Sequence, residues 1–170
     1  PQSFSEEGFQ GAHLLKKSGL YEEMDLRLFE DSLGFEWESN IFGIQEGTHM
    51  LQGAYNDANW HHYAVQISDD VLSVFLDGVN VYEEIVSDNT PNFFDFSGPF
   101  TNLLIGTNSD QQSSFFKGLI SEMKISSVAQ YAENFSPDSL RADESTVSLW
   151  KFNENSGEVL YDLSGNENHG

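Results

Sequence analysis

The stretch WHHYAVQISDDVLSVFLDGVNVYEEI, residues 60–85, decides the fold. Its apolar and polar side chains alternate, so one side of each segment can be buried while the other meets water, as in a β-strand. Ser68-Asp69-Asp70 and Asp77-Gly78 interrupt that alternation. Asp-Gly is a strong hairpin signal, because glycine accepts the positive φ that tight primed turns require. The stretch therefore reads as three strands joined by two short turns.

The same period extends outward. In YEEMDLRLFED (21–31), Met24, Leu26 and Leu28 share one face, and Glu23, Asp25 and Arg27 share the other. SLGFEWES (32–39) sets Leu33, Phe35 and Trp37 against Glu36 and Glu38. NLLIGT (102–107), FFKGLISEMKI (115–125) and TVSLWKF (146–152) read as further strands. The Asn-rich stretches 87–92 and 107–114 read as loops, and only SVAQYAENF (127–135) suggests even one helical turn. Many short strands punctuated by Gly, Asn and Asp indicate an all-β fold, an antiparallel β-sandwich or barrel. The expected organisation is one domain over 1–170: a main body 1–127, a connecting segment 128–145 and a closing strand pair 146–170. Trp37, Trp60, Val65, Val74, Leu119 and Trp150 are expected in the core.

Composition narrows the function. The chain has 170 residues, and 14 Phe, 3 Trp and 6 Tyr can fill a broad interior. Lys and Arg total 7 against 28 Asp and Glu, a formal charge of −21. That field repels nucleic acid and anionic membrane and concentrates cations near the surface. Cysteine is absent, which excludes disulfides, thiol nucleophiles and thiolate metal sites. The sequence contains no 18-residue apolar run, so membrane insertion is not expected, and no signal peptide.

Three blocks carry a family resemblance. WHHYAVQISDDVLSVFLDG (60–78), FKGLISEMKIS (116–126) and SLWKFNENSGEVLYDLSGNENHG (148–170) resemble the laminin G-like family of the concanavalin A-like lectin/glucanase superfamily. The resemblance implies a jelly-roll sandwich, extracellular or cell-surface recognition roles and frequent structural calcium. One feature departs from the family. The Leu-Trp-x-Phe block ordinarily opens such a domain and is followed by two further strands, whereas here it closes the chain. If those strands are missing, an open sheet edge would let two copies pair as a homodimer.

Catalysis finds little support in the residues. Glucanases of the superfamily carry E-x-D-x-x-E on one strand, with the carboxylates on a common face. Glu23 and Asp25 begin such a pattern, but the third position is Leu28, and Glu30 has the opposite parity unless a bulge intervenes. Both acids read as the solvent face of a strand, and no enzyme is expected. No Gly-x-Ser-x-Gly or His-Glu-x-x-His motif is present. His61 and His62, adjacent on a strand, point to opposite faces and suit a structural role beside Trp60 rather than one metal ion.

Binding is the better prospect. In DLSGNENHG (162–170), Asp162, Ser164, Asn166 and Asn168 fall on alternate positions, as hard oxygen ligands do in a calcium loop. An EF-hand is excluded because its sixth position is Glu167 rather than Gly. A simple turn needs only Gly165-Asn166 in unusual backbone conformations. Both readings stand; a structural Ca²⁺ (Ca2+) would take Asp162 as anionic anchor and Asn166 as carbonyl ligand, with Glu122 reaching the same rim. Two loops combine aromatic and planar polar groups as sugar sites do: Tyr55, Asn56, Asp57 and Asn59, then Asn108, Asp110, Gln111 and Gln112. The expected function is a non-catalytic recognition module with a glycan or extracellular protein ligand. The alternative is a structural or adhesive protein–protein module.

Overall fold

The computed structural model describes residues 12–19, 22–28, 32–39, 45–52, 57–85, 100–107 and 115–170. These hold ten strands and no helix: β1 (Ala12–Gly19), β2 (Glu22–Leu28), β3 (Ser32–Ser39), β4 (Gln45–Gln52), β5 (Tyr63–Ser68), β6 (Val71–Leu76), β7 (Val79–Ile85), β8 (Phe100–Ile105), β9 (Met123–Ser126) and β10 (Thr146–Trp150). All described pairings are antiparallel. The chain forms two compact units, one from 1–60 and 87–117, the other from 61–86 and 118–170.

The first unit carries a five-stranded sheet in the order β4-β3-β2-β1-β8. Met24 lies opposite Trp37, Leu26 opposite Phe35 and Leu28 opposite Leu33, so the expected apolar faces are in register across β2 and β3. The other parity brings Lys16 opposite Asp25. Asp25 is not on the solvent face expected for it: only 3% of it is exposed. Arg27 grips its carboxylate through Nη2 at 2.9 Å and Nε at 3.0 Å, and Lys16 Nζ stands at 3.6 Å. Burying a carboxylate is tolerable only with such partners, and this one is held by two cations.

In the second unit β5, β6 and β7 form a meander. Asp69 and Asp70 (φ 48° and 62°) join the first pair, and Asp77 and Gly78 (φ 50° and 79°) join the second. Positive φ at both central residues marks type I′ turns, whose twist matches that of the strands they join. On central β6, Leu72, Val74 and Phe75 are buried. A second sheet pairs β9 with β10 and buries Ile125, Leu149 and Trp150. Residues 127–145 connect β9 to β10 within this sheet without a helical turn. Gln66 on β5 fixes this segment: its Nε2 donates to Tyr131 O at 2.6 Å, and its Oε1 accepts from the backbone N–H of Gln130 and Tyr131. Ion pairs of Lys124 with Asp143 and Lys151 with Glu122 fasten the remainder.

Several expectations change. The strand that FFKGLISEMKI enters, Met123–Ser126, begins only at Met123, so Leu119 sits in a loop and is 78% exposed rather than core. Val74 and Trp150 are buried as expected, Val65 is half-buried, and the side chain of Trp37 lies outside the described residues. After β10 the chain returns without a further strand, because Phe152, Asn155 and Gly157 adopt positive φ. It is still held: Leu160 and Gly170 exchange both backbone hydrogen bonds, and Leu163 N donates to Leu149 O at 2.7 Å.

Candidate functional site

The loop before β5 gathers an exposed aromatic ring and ordered polar groups. The Asp57 carboxylate accepts from its neighbour Asn59 twice, from the backbone N–H at 2.8 Å and from Nδ2 at 2.7 Å. This Asx turn carries Ala58 through φ 65°, a left-handed conformation unusual for an alanine. Trp60 follows with 65% of its surface exposed. Trp60 is therefore not the core residue expected from the sequence. The strand begins only at Tyr63, so the period-two pattern does not extend back to it. Asp57 and Asn59 are exposed. Tyr55, Asn56, Asn108, Asp110, Gln111 and Gln112 lie outside the described residues.

The two histidines after Trp60 have a structural role, but their partner is Asp77. His61 Nδ1 meets Asp77 Oδ2 at 2.8 Å, His62 N donates to Asp77 Oδ1 at 2.9 Å, and Asp77 N donates back to His62 O at 2.8 Å. The His62 ring packs edge-on against Phe135 at 5.4 Å and Tyr131 at 6.2 Å, and those two rings stack at 3.6 Å. Its Nδ1 is buried with no hydrogen-bond partner among the described residues. Burial pushes the His62 pKa down, against the pull of Asp77 and Glu122. Burial would raise the Asp77 carboxyl, but the His62 N–H and His61 ring outweigh it and hold it below the usual range.

These shifts have a signed consequence. His62 takes its proton more readily when unfolded, at about pH 6.5, so its contribution to stability is full above that value and is lost as pH falls through its lower folded pKa. Asp77 acts only further into acid, below its ordinary carboxylate range. The urea midpoint of the wild type should fall between pH 7.5 and pH 5, and that of His62→Gln should fall less. Equal falls in the two proteins would contradict the assignment.

The closing turn resolves differently from a metal loop. Asp162 is only 6% exposed. Its Oδ1 accepts from Leu149 N at 2.8 Å and Ser164 N at 2.9 Å, while Oδ2 accepts from Ser164 Oγ at 2.6 Å and Asn168 N at 3.0 Å. Asn166 turns Nδ2 toward Thr146 O and Val147 O, each at 3.0 Å. Glu122 does not join them: it accepts from Ser139 Oγ and Leu140 N and pairs with Lys151 at 3.0 Å. Among the described residues no three His, Asp or Glu side chains converge as a metal set. A cation needs lone pairs, and the lone pairs of Asp162 face four protons, so these residues do not fit calcium. The turn ties the end of the chain to β10 through its own hydrogen bonds.

The described strands pair antiparallel and two of them are joined to β6 by primed hairpins, which defines an all-β class. The chain belongs to the concanavalin A-like lectin/glucanases superfamily: residues 16–134 match its laminin G model. The fold is accordingly that family's antiparallel β-sandwich, the jelly roll. Comparison with curated proteins gives no significant match. Among solved structures, the chain is similar to a crystal structure of an S-layer domain-containing protein (residues 221–444) from Clostridium thermocellum ATCC 27405. The two share 17% identity at a TM-score of 0.27, over 80% of this chain and 64% of that one. This chain thus spans less than two thirds of that structure, and so weak a likeness carries no conclusion.

Proposed function

We propose that this domain is a non-catalytic recognition module of an extracellular or cell-surface protein, and that it binds glycans on the 57–60 loop. The observation that carries the reading is the exposed indole of Trp60 beside the ordered Asp57–Asn59 pair. An indole face covers the C–H face of a sugar, while planar polar groups take its hydroxyls. Membership of a lectin-containing superfamily is consistent with this, though fold alone does not assign function. Hydrolysis is not part of the proposal, because Asp25 is committed to Lys16 and Arg27. Screening the protein against an immobilised glycan array tests the reading. At least one glycan should be retained by the wild type and lost by Trp60→Ala; no retention anywhere, or retention unaffected by the substitution, would refute it.

One observation favours a second reading, an adhesive protein–protein module. Val159, Tyr161 and Leu163 are exposed at alternate positions, and Val159 also lines an open depression of 490 Å³ with Phe152 and Leu160. Sedimentation of the wild type across a concentration series separates the readings, since pairing of copies would appear as a concentration-dependent mass.

A further inference from the structure

We infer that the open depression lined by residues 152–160 docks a basic segment of a partner protein. The alkyl stem of a lysine or arginine lies on Phe152, Val159 and Leu160, and its charged head meets Glu154 and Glu158. This deepens the protein–protein reading above by giving the partner a chemistry, and it uses no residue of the 57–60 loop.

The depression holds 490 Å³, within the roughly 300–1,000 Å³ of ordinary ligand clefts. Its apolar lining is open to solvent: Val159 is 43% exposed, and Phe152 and Leu160 are half-buried. Glu154 and Glu158 line the same depression, and no lysine, arginine or histidine does. Glu154 is fixed there by the Tyr161 N–H, which donates to its Oε1 at 3.0 Å. Glu158 is exposed, and no side chain among the described residues answers its charge. Apolar surface beside carboxylates suits the long basic side chains, which lay their stems on such surface and keep the head in water.

The charge of the whole chain selects the same partner. At −21 it draws a basic segment in and repels a second copy. A copy also has few cations to offer. Lys16 and Arg27 are taken up by Asp25, Lys124 by Asp143 and Lys151 by Glu122, while Arg141 touches Asp138 only at 4.0 Å. Lys117 is exposed, and the Lys17 side chain lies outside the described residues. That leaves Arg141, Lys117 and Lys17 to face 28 Asp and Glu. A divalent ion fits less well than an organic cation, because among the described residues no three His, Asp or Glu converge and two carboxylates fall short of a calcium shell.

Fluorescence anisotropy of the full chain with labelled peptides tests the inference. The probes are a peptide alternating lysine with glycine, the same peptide with glutamate for lysine, and one with diaminopropionic acid, whose amine sits on a single methylene. The lysine peptide should bind at 0.05 M salt and weaken at 0.5 M (about 14 and 4 Å of Debye length), and the glutamate peptide should bind at neither. The short amine should bind about fivefold more weakly, since it brings no stem to the apolar lining. Glu158→Gln should weaken the lysine peptide about threefold, the size of an exposed ion pair. Val159→Ser should weaken it about fivefold. Glu144→Gln, an equal change of charge at another exposed position, should leave it unaltered. Equal weakening by Glu144→Gln and Glu158→Gln would reduce the attraction to the general field and overturn the site. No binding of the lysine peptide, or binding untouched by Val159→Ser, would overturn it as well. Sedimentation showing pairing of copies that Val159→Ser abolishes would overturn the partner's chemistry and leave the protein–protein reading standing.

Discussion

Replacing Gly78 with alanine is expected to lower the melting temperature by roughly 10 °C, a loss of about 4 kcal/mol at this chain length. A Cβ at this position would overlap the carbonyl oxygen of Phe135 and approach its carbonyl carbon to 2.9 Å. Relief requires residues 135–137 to move, which breaks the Phe135 N–H bond to Gly78 O and loosens Phe135 from Phe75 and His62. The backbone adds its own term, since φ 79° costs an L-residue about 1–2 kcal/mol. The first hairpin shows that a I′ turn as such does not demand glycine, because Asp69 and Asp70 form it. Gly157 provides the control: it too has positive φ, but nothing lies within 4 Å of a Cβ there. Gly157→Ala should therefore cost only its backbone strain, about 1–3 kcal/mol, with no steric clash added. Equal losses at the two positions, followed by differential scanning calorimetry, would show that Phe135 does not seat on the turn.

Asp162→Ala should be comparably severe, about 4 kcal/mol, because it leaves three backbone N–H groups and one hydroxyl without their charged acceptor at a buried position. Burial alone would raise the Asp162 carboxyl, but the hydroxyl of Ser164 and the N–H groups of Leu149, Ser164 and Asn168 outweigh it and bring the pKa down to about 2. A depressed carboxyl stabilises the fold above its unfolded pKa. About 2.5 kcal/mol should therefore be present above pH ~4 and lost as pH falls toward 2. Asp162→Ala should erase that acid limb. Chelator should leave the wild-type melting curve unchanged, since the donors around Asp162 are protons. A downward shift with EDTA that disappears in Asp162→Ala would restore the calcium loop.

What the sequence revealed depended on unbroken alternation. The faces of β2 and β3 are readable because Met24, Leu26, Phe35 and Trp37 repeat every second residue with polar neighbours between them. β1 is hidden because Leu14-Leu15 and Lys16-Lys17 come in pairs, and a bulge between His13 and Leu15 shifts the register there. β4 is hidden because QEGTHMLQ is mostly polar, so only its pairing to β3 identifies it. Burial of Asp25 follows from a lysine on the neighbouring strand, and cross-strand register cannot be read from one strand's pattern. Asp77 was legible as a turn residue, but not as the acceptor that holds His61 and His62, which lie 16 and 15 positions earlier. Asp57 and Asn59, which the proposed site uses, are legible by residue type. Trp60 was missed because an aromatic before a strand reads as core until the strand's first residue is known.

Titration calorimetry of wild type and Trp60→Ala, with any array-positive oligosaccharide, tests the glycan site most directly when paired with melting curves. Covering about 60 Å² of indole is worth ~1.5 kcal/mol at ~25 cal/mol per Å², so affinity should drop at least about tenfold. The melting temperature should stay within about 2 °C, because a side chain 65% exposed leaves little packing to lose. Unchanged affinity, or a loss of affinity accompanied by unfolding, would contradict the placement of the site on Trp60.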